Sequence, residues 1–152
     1  MKRKFEEIVS KFPGWLDLLQ KSQSFSRDQL QSVPDNGIYV FYDEKDKPLY
    51  VGRSDRMRKR LLAHSRPSSG CESATFAFIL AKEKLINPDS KTKSRKALQD
   101  DDEFSKKYNE TKIDVSKMRV RVIEIIEPTE QALFEIYAAL ELNTPYNVWE
   151  NH

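Results

Sequence analysis

The residues best suited to chemistry lie in one short stretch, and their types fit the binding of a phosphodiester. Two triplets, Gly37-Ile38-Tyr39 and Tyr50-Val51-Gly52, are separated by a charged polar turn. A phenol can orient or deprotonate an attacking water, or place a phosphate through its O–H group. Basic residues and one histidine follow directly: Arg53, Arg56, Arg58, Lys59, Arg60 and His64. A guanidinium among them can hold a phosphate and stabilise the charge that develops in a pentacoordinate state.

A carboxylate and an amide near the end of the chain extend this set. Glu135 lies in a helix-like run with apolar neighbours on both sides, which predicts a partly desolvated carboxylate. Such a carboxylate requires a metal or a cation beside it. Asn147 follows Pro145-Tyr146, and three roles are open to it: fixing the surroundings of Glu135, contacting a phosphate oxygen, or belonging to a turn.

The order of these groups resembles the GIY-YIG nuclease family over about residues 36–148. The tyrosine triplets alone are a weak match, but Arg60, Glu135 and the ending Asn143-Thr144-Pro145-Tyr146-Asn147 follow in the same order. The resemblance implies six catalytic residues: Tyr39, Tyr50, Arg60, His64, Glu135 and Asn147. It also implies nucleic-acid binding by Arg53, Arg56, Arg58 and Lys59.

The activity that this resemblance implies is metal-dependent hydrolysis of a DNA phosphodiester, with RNA not excluded as a partner. Tyr39 would activate water directly or through a relay, Arg60 would stabilise the transition state, and Glu135 would hold one Mg²⁺ or Mn²⁺. Mg²⁺ accepts one or two carboxylates together with waters and phosphate oxygens. The ion would offset charge on the scissile phosphate and on the leaving 3′ oxygen.

The elements that must position these groups are a hairpin, a third strand and several helices. Two β-rich runs over 38–42 and 48–51, joined by a polar turn, predict the hairpin, and alternation over 118–125 predicts the third strand. Helices are predicted over about 3–22 (one helix or a broken pair), after Ser54, over 74–84 and from Pro128, and residues 24–35 are predicted to be a loop. With the resemblance, this pattern implies an α/β fold: a small three-stranded antiparallel sheet flanked by helices.

Three local details of these elements are left to the structure. Ser54 is predicted to cap the helix that follows it, and Thr129 to cap the last helix. Arg53, Arg56, Arg60 and His64 are predicted to form one stripe along the first of these helices. Whether Tyr39 and Tyr50 share one face of the sheet depends on the hairpin register, which the length of the turn leaves open.

The chain divides into a helical extension, residues 1–35, and a nuclease-like domain, residues 36–152. The domain carries a charged insertion at about 85–116, and residues 89–116 within it are predicted to form one or two exposed helices. The stretch from Lys91 to Glu103 is poor in core residues, which predicts an exposed helix or a mobile arm there. Its basic part contains Lys91, Lys93, Arg95 and Lys96. These four residues either extend a phosphate-binding surface or form a solvated surface without a role.

Composition excludes several other classes of protein. The single cysteine rules out an intramolecular disulfide, and the chain has no zinc-ligand cluster and no phosphate-binding loop of the Walker type. No apolar run approaches the roughly 20 residues that a membrane helix needs, and the N-terminus lacks the apolar region of a signal peptide. A cytoplasmic location without membrane contact is therefore predicted, and the oligomeric state stays open.

Two other functions remain open alongside the nuclease. The first is a nucleic-acid-binding module of the same fold with little or no catalysis, although every signature position is filled here. The second is an interaction protein whose N-terminal helices expose an apolar patch of Phe5, Phe12 and Trp15.

Overall fold

The computed structural model describes residues 2–70, 73–84, 94, 97–98 and 100–149. The chain packs as two compact units. The first contains the residues up to Arg58 together with those from Met118 onwards, and the second is Lys59–Lys117. In the described part of the chain, no helix is both long and apolar enough to cross a membrane.

The first unit begins with two short helices, α1 (Lys2–Val9) and α2 (Phe12–Lys21). Pro13 lies in the first turn of α2, where its missing N–H costs no helical hydrogen bond. The predicted broken pair of helices is therefore confirmed. Between α2 and the sheet, a 3₁₀ helix (Arg27–Ser32) occupies half of the segment predicted to be a loop.

A three-stranded antiparallel sheet forms the centre of this unit, as predicted. Its strands are β1 (Gly37–Tyr42), β2 (Pro48–Ser54) and β3 (Arg119–Glu124), in the order β2-β1-β3. All six residues of the central strand β1 are buried. In the β1–β2 turn, the carboxylate of Asp43 accepts hydrogen bonds from the backbone N–H groups of Lys45 and Lys47, both at 2.9 Å.

One face of the sheet packs against helices through an aromatic core. Helix α6 (Pro128–Leu142) supplies Phe134, whose ring meets that of Phe12 at 5.4 Å and that of Trp15 at 5.7 Å. Phe12 is 2% exposed and Trp15 is half-buried, whereas Phe5 is exposed. The apolar patch predicted for these three N-terminal residues is therefore wrong, because two of them pack into the core.

The ends of helix α6 correct one prediction about capping. The side chain of Glu127, not that of Thr129, accepts the hydrogen bond from the backbone N–H of Glu130, at 2.8 Å. Pro128 is thus the first residue inside the helix, a position that suits its fixed φ. The helix ends at Asn143, which adopts a left-handed conformation with φ of 53°.

In the described part of the second unit, helices α4 (Thr75–Glu83) and α5 (Asp102–Ser116) pack together. Most of α3 (Met57–Ala63) also belongs to this unit. The prediction that the helices of the insertion are exposed is wrong for α5. Its buried residues are Phe104, Tyr108, Thr111, Lys112 and Val115. They recur at helical spacing among charged residues, so one face is buried while the helix as a whole remains polar. The four basic residues Lys91, Lys93, Arg95 and Lys96 lie outside the described residues.

Candidate active site

The two tyrosines of the triplets lie on the same face of the sheet. Tyr39 pairs with Gly52, and Phe41, two residues further along β1, pairs directly with Tyr50. Because paired residues point to the same face and side chains alternate along a strand, both phenols project from one side. Tyr39 is 1% exposed and Tyr50 is half-buried. Of the two, Tyr50 is therefore the more accessible to a substrate.

The glycine of the second triplet makes room for the tyrosine of the first. A Cβ built on Gly52 would lie 2.3 Å from the phenolic oxygen of Tyr39 and 2.2 Å from its ring Cζ. Any side chain at residue 52 would therefore displace the Tyr39 ring, which is enclosed on all sides. This contact explains physically why the two triplets occur together.

The carboxylate of Glu135 faces the guanidinium of Arg53. The Nε of Arg53 lies 3.7 Å from Oε2 of Glu135, which is an ion pair but exceeds hydrogen-bond distance. The two side chains are 47% and 18% exposed, respectively. Arg53 lies on β2 opposite Ile38, on the face of the sheet that packs against α6, and Glu135 lies on α6 itself.

The environment of Glu135 shifts its titration. Burial raises the pKa of this carboxyl above its usual value, while the positive charge of Arg53 opposes the shift. The partly desolvated carboxylate predicted from the sequence is thus confirmed. Its cationic neighbour is Arg53, a residue for which the sequence suggested only a contact with nucleic acid. No local signal in the sequence joins these two residues, because they come from distant elements.

Asn147 is held against the free edge of β2 by its side chain. Its Oδ1 accepts from the backbone N–H of Val51 and its Nδ2 donates to the carbonyl of Val51, both at 2.8 Å. Thr144 Oγ1 donates to the same Oδ1 at 2.8 Å. The carboxamide therefore bonds both backbone groups of Val51, as a neighbouring strand would. Because β2 also carries Arg53, the partner of Glu135, this contact corresponds to the first of the three roles left open for Asn147, fixing the surroundings of Glu135.

The basic residues after β2 do not form the predicted helical stripe. Strand β2 continues to Ser54, whose Oγ accepts from the backbone N–H of Arg56 at 2.9 Å, and α3 begins only at Met57. Ser54 therefore forms a turn instead of capping the helix, and Arg53 and Arg56 precede α3. The four residues predicted to bind nucleic acid are all exposed: Arg53, Arg56, Arg58 and Lys59.

Arg60 and His64 belong to the second unit. The Nη1 of Arg60 donates to the carbonyl of Ser73 at 3.1 Å. His64, at the end of α3, is fully buried. Burial and the nearby charge of Arg60 lower the pKa of His64 to about 3, so the imidazole is neutral at physiological pH. This environment favours a packing role for His64 over contact with a substrate.

The residues around Glu135 fit a divalent cation only as a partial protein site. Among the described residues, no group of three or more His, Cys, Asp and Glu side chains could hold a metal ion. Glu135 offers one carboxylate of raised pKa, and its pair with Arg53 is too long to be a hydrogen bond. One carboxylate suits Mg²⁺ when waters and phosphate oxygens complete its coordination.

The three-stranded antiparallel sheet and its flanking helices are consistent with a GIY-YIG-like fold. About half of the chain is also similar to a known protein, the UvrABC system protein C of Dictyoglomus thermophilum. The two are 34% identical over 71 residues, which cover 47% of this chain and 10% of that protein. That protein contains a GIY-YIG domain. No family model matches the chain, and no solved structure matches it.

Proposed function

We propose that this protein is a divalent-metal-dependent endonuclease that hydrolyses DNA phosphodiester bonds. The observation that carries the proposal is the half-buried Glu135 carboxylate, which faces Arg53 near the end of β2. Tyr50 lies earlier on the same strand and, by the strand pairing, on the opposite face of the sheet. A carboxylate, a guanidinium and a phenol are the groups that hydrolysis of a phosphodiester requires. The similarity to UvrABC system protein C supports a DNA-processing role.

In the proposed reaction, Glu135 is the protein ligand of one Mg²⁺ or Mn²⁺ ion. The bound ion would supply charge neutralisation at the scissile phosphate and at the leaving oxygen. Arg53 lies beside the same carboxylate, so in the free protein it balances the negative charge of Glu135, and in the complex it can turn to a phosphate oxygen. Asn147 keeps β2, and with it Arg53, in place.

The phenols have different proposed tasks because their exposure differs. Tyr50, which is half-buried, would position or deprotonate the attacking water, because its phenol is the more accessible of the two. Tyr39, enclosed over Gly52, would act through a relay instead of contacting the water directly. The family resemblance assigns transition-state stabilisation to Arg60, and the exposed residues Arg56, Arg58 and Lys59 are proposed to grip the DNA backbone.

A substrate panel tests the proposal as a whole. Labelled duplex, flap and single-stranded DNA, together with RNA, are incubated with the protein in Mg²⁺, in Mn²⁺ or in EDTA. We expect endonucleolytic cleavage of at least one DNA substrate with metal and none with EDTA. If the protein binds DNA but cleaves no substrate under any of these conditions, the proposed nuclease activity is contradicted and the nucleic-acid-binding module is favoured.

A comparison of Arg56, Arg58 and Arg60 separates a role in catalysis from a role in DNA binding. Each phosphate that a basic residue neutralises adds about 0.9 to the slope of log affinity against log salt. We expect Arg56→Ala and Arg58→Ala to weaken binding and to reduce that slope, with little loss of rate at saturating DNA. Arg60→Ala is expected to lower the saturated rate by roughly 10²-fold or more. Equal effects of all three changes on both quantities would remove the catalytic assignment of Arg60.

A further inference from the structure

The charged insertion contains a buried lysine, Lys112, which forms no ion pair with an acid among the described residues. Lys112, on the inner face of α5, is 3% exposed. Its Nζ donates to the backbone carbonyls of Pro67 at 2.7 Å and of Ser69 at 3.1 Å. The ammonium also lies 4.4 Å from the centre of the Tyr108 ring. Burying an ammonium costs free energy unless such partners compensate it, and burial lowers the pKa of Lys112 accordingly.

Tyr108 reinforces the same contact from one helical turn earlier. Its phenol donates to the carbonyl of Ser69 at 3.2 Å, so Lys112 and Tyr108 share one acceptor. The ring of Tyr108 is fixed in turn by stacking on Phe104, with centroids 5.8 Å apart. We call the two donors and the two carbonyls that they bind the α5 clasp. The clasp ties α5 to the segment between α3 and α4.

That segment also carries an acceptor of Arg60. Beyond Ser69, the backbone N–H groups of Ser73 and Ala74 donate to the carbonyl of Gly70 at 3.0 and 2.9 Å. The carbonyl of Ser73 accepts the hydrogen bond from Arg60. A short path of described contacts therefore runs from Lys112 through Ser69, Gly70 and Ser73 to the Arg60 guanidinium, entirely within the second unit.

We propose that Lys112 and Tyr108 are positioning residues, which hold the backbone at Pro67 and Ser69 so that the guanidinium of Arg60 keeps one orientation. This inference rests on the catalytic role proposed for Arg60. It gives the helical part of the insertion a function in the reaction, different from the phosphate-binding arm that its charges suggested. The chemistry fits this role because three hydrogen bonds onto two carbonyls restrain a backbone segment from two directions.

Two substitutions test the clasp. Lys112→Met keeps the length of the side chain and removes the ammonium, and Tyr108→Phe keeps the ring and removes one donor. Lys106, exposed on the same helix, provides the matched control Lys106→Met. Thermal unfolding and circular dichroism establish that each variant is folded, and Tyr108→Phe serves if Lys112→Met fails to fold.

Amide hydrogen exchange gives the readout that does not depend on activity. We expect exchange at Ser69, Ser73 and Ala74 to rise about tenfold or more in Lys112→Met and less in Tyr108→Phe, with no change in Lys106→Met. Wild-type exchange rates at these amides in both clasp variants would overturn the inference. The exchange measurement tests the clasp even if the wild-type protein shows no cleavage. Absence of cleavage would contradict the proposed function, not the clasp.

Cleavage kinetics distinguish positioning from general stabilisation. We expect Lys112→Met to lower the rate at saturating DNA about tenfold with little change in DNA affinity. In combination with Arg60→Ala, it should add little further loss, because residues that act through one another are not additive. If the two losses multiply, Lys112 stabilises the fold without acting through Arg60, and the positioning role is wrong.

Discussion

The ring of Tyr39 lies directly over Gly52, so the first tyrosine of the signature occupies the space of a missing side chain two residues after the second tyrosine. Gly52 pairs with Tyr39 across the two strands, and the Tyr39 ring is 5.8 Å from that of Phe41 at close to a right angle. Residue 52 must therefore be a glycine because the Tyr39 ring fills the space that a side chain would need.

This relationship predicts the effect of a single methyl group. Gly52→Ala would place its Cβ 2.2 Å from a Tyr39 ring atom, and the enclosed ring cannot move without displacing its neighbours. We expect a loss of about 1–3 kcal/mol in the free energy of unfolding, as overpacking of a core usually gives. Chemical denaturation measures this loss.

The chain offers a matched control for this change. A Cβ at Gly14, in α2, would meet nothing within 4 Å. Gly14→Ala should therefore leave stability unchanged or raise it slightly, because alanine favours a helix. A Gly52→Ala variant as stable as the wild type would show that the ring is not confined as described.

The pair of Arg53 and Glu135 predicts the pH dependence of cleavage. Burial raises the pKa of Glu135 above its ordinary 4.5 and Arg53 opposes that rise. Since the ionised carboxylate is the form that binds a cation, the rate should fall as pH drops through this raised pKa. Removing the positive charge in Arg53→Met should raise the pKa further and move the acid limb of the pH–rate profile to higher pH.

The measurement is the midpoint of that limb at saturating DNA, with Arg56→Met as a control for the loss of one exposed positive charge. An unchanged midpoint in Arg53→Met would mean that the limb belongs to another group. A shift of the same size in both variants would indicate a general change of surface potential instead of a specific pair.

The buried His64 should make the free energy of unfolding depend on pH. Its pKa is lowered to about 3 in the folded protein against 6.5 in the unfolded chain. Between these values the unfolded chain binds the proton and the folded protein does not, so stability is lost as the pH falls from about 6.5 towards 3. The limiting slope for one group is about 1.4 kcal/mol per pH unit.

Unfolding free energies measured across this range check the prediction. His64→Gln should flatten the dependence, whereas His152→Gln, a change of the second histidine in the chain, should not. The same variants address catalysis. A folded His64→Gln protein that keeps its saturated rate supports a packing role, and a large loss of rate would restore the catalytic role that the family resemblance implies.

The sequence predicts those parts of the fold that depend on local patterns. Two β-rich runs and a polar turn are sufficient for the hairpin, and Pro13 marks the break between the first two helices. The register that brings Tyr39 onto Gly52 depends on an irregularity between Phe41 and Tyr42, for which residue types give no signal. The buried face of α5 is missed because its apolar residues are outnumbered by charged ones along the helix.

The sequence identifies the residues of the candidate site but not the contacts that these residues make. The resemblance supplies Glu135 and Asn147, yet neither the pairing with Arg53 nor the clamp on Val51 follows from local sequence. Both contacts join residues far apart in the chain, so only the folded backbone brings them together. The same holds for Phe12, whose burial depends on Phe134 in the last helix.

The most direct test of the proposed function is the rate of DNA cleavage in Mg²⁺ by Glu135→Gln, compared with Glu141→Gln. Both residues lie on α6, but Glu141 is exposed whereas Glu135 is half-buried beside Arg53. Glutamine keeps the shape of the side chain and removes the charge that would bind the ion. We expect Glu135→Gln to lose on the order of 10²-fold or more of the rate while DNA affinity stays nearly unchanged, and Glu141→Gln to behave as the wild type. Near-wild-type cleavage by Glu135→Gln would contradict the assignment of Glu135 as the metal ligand.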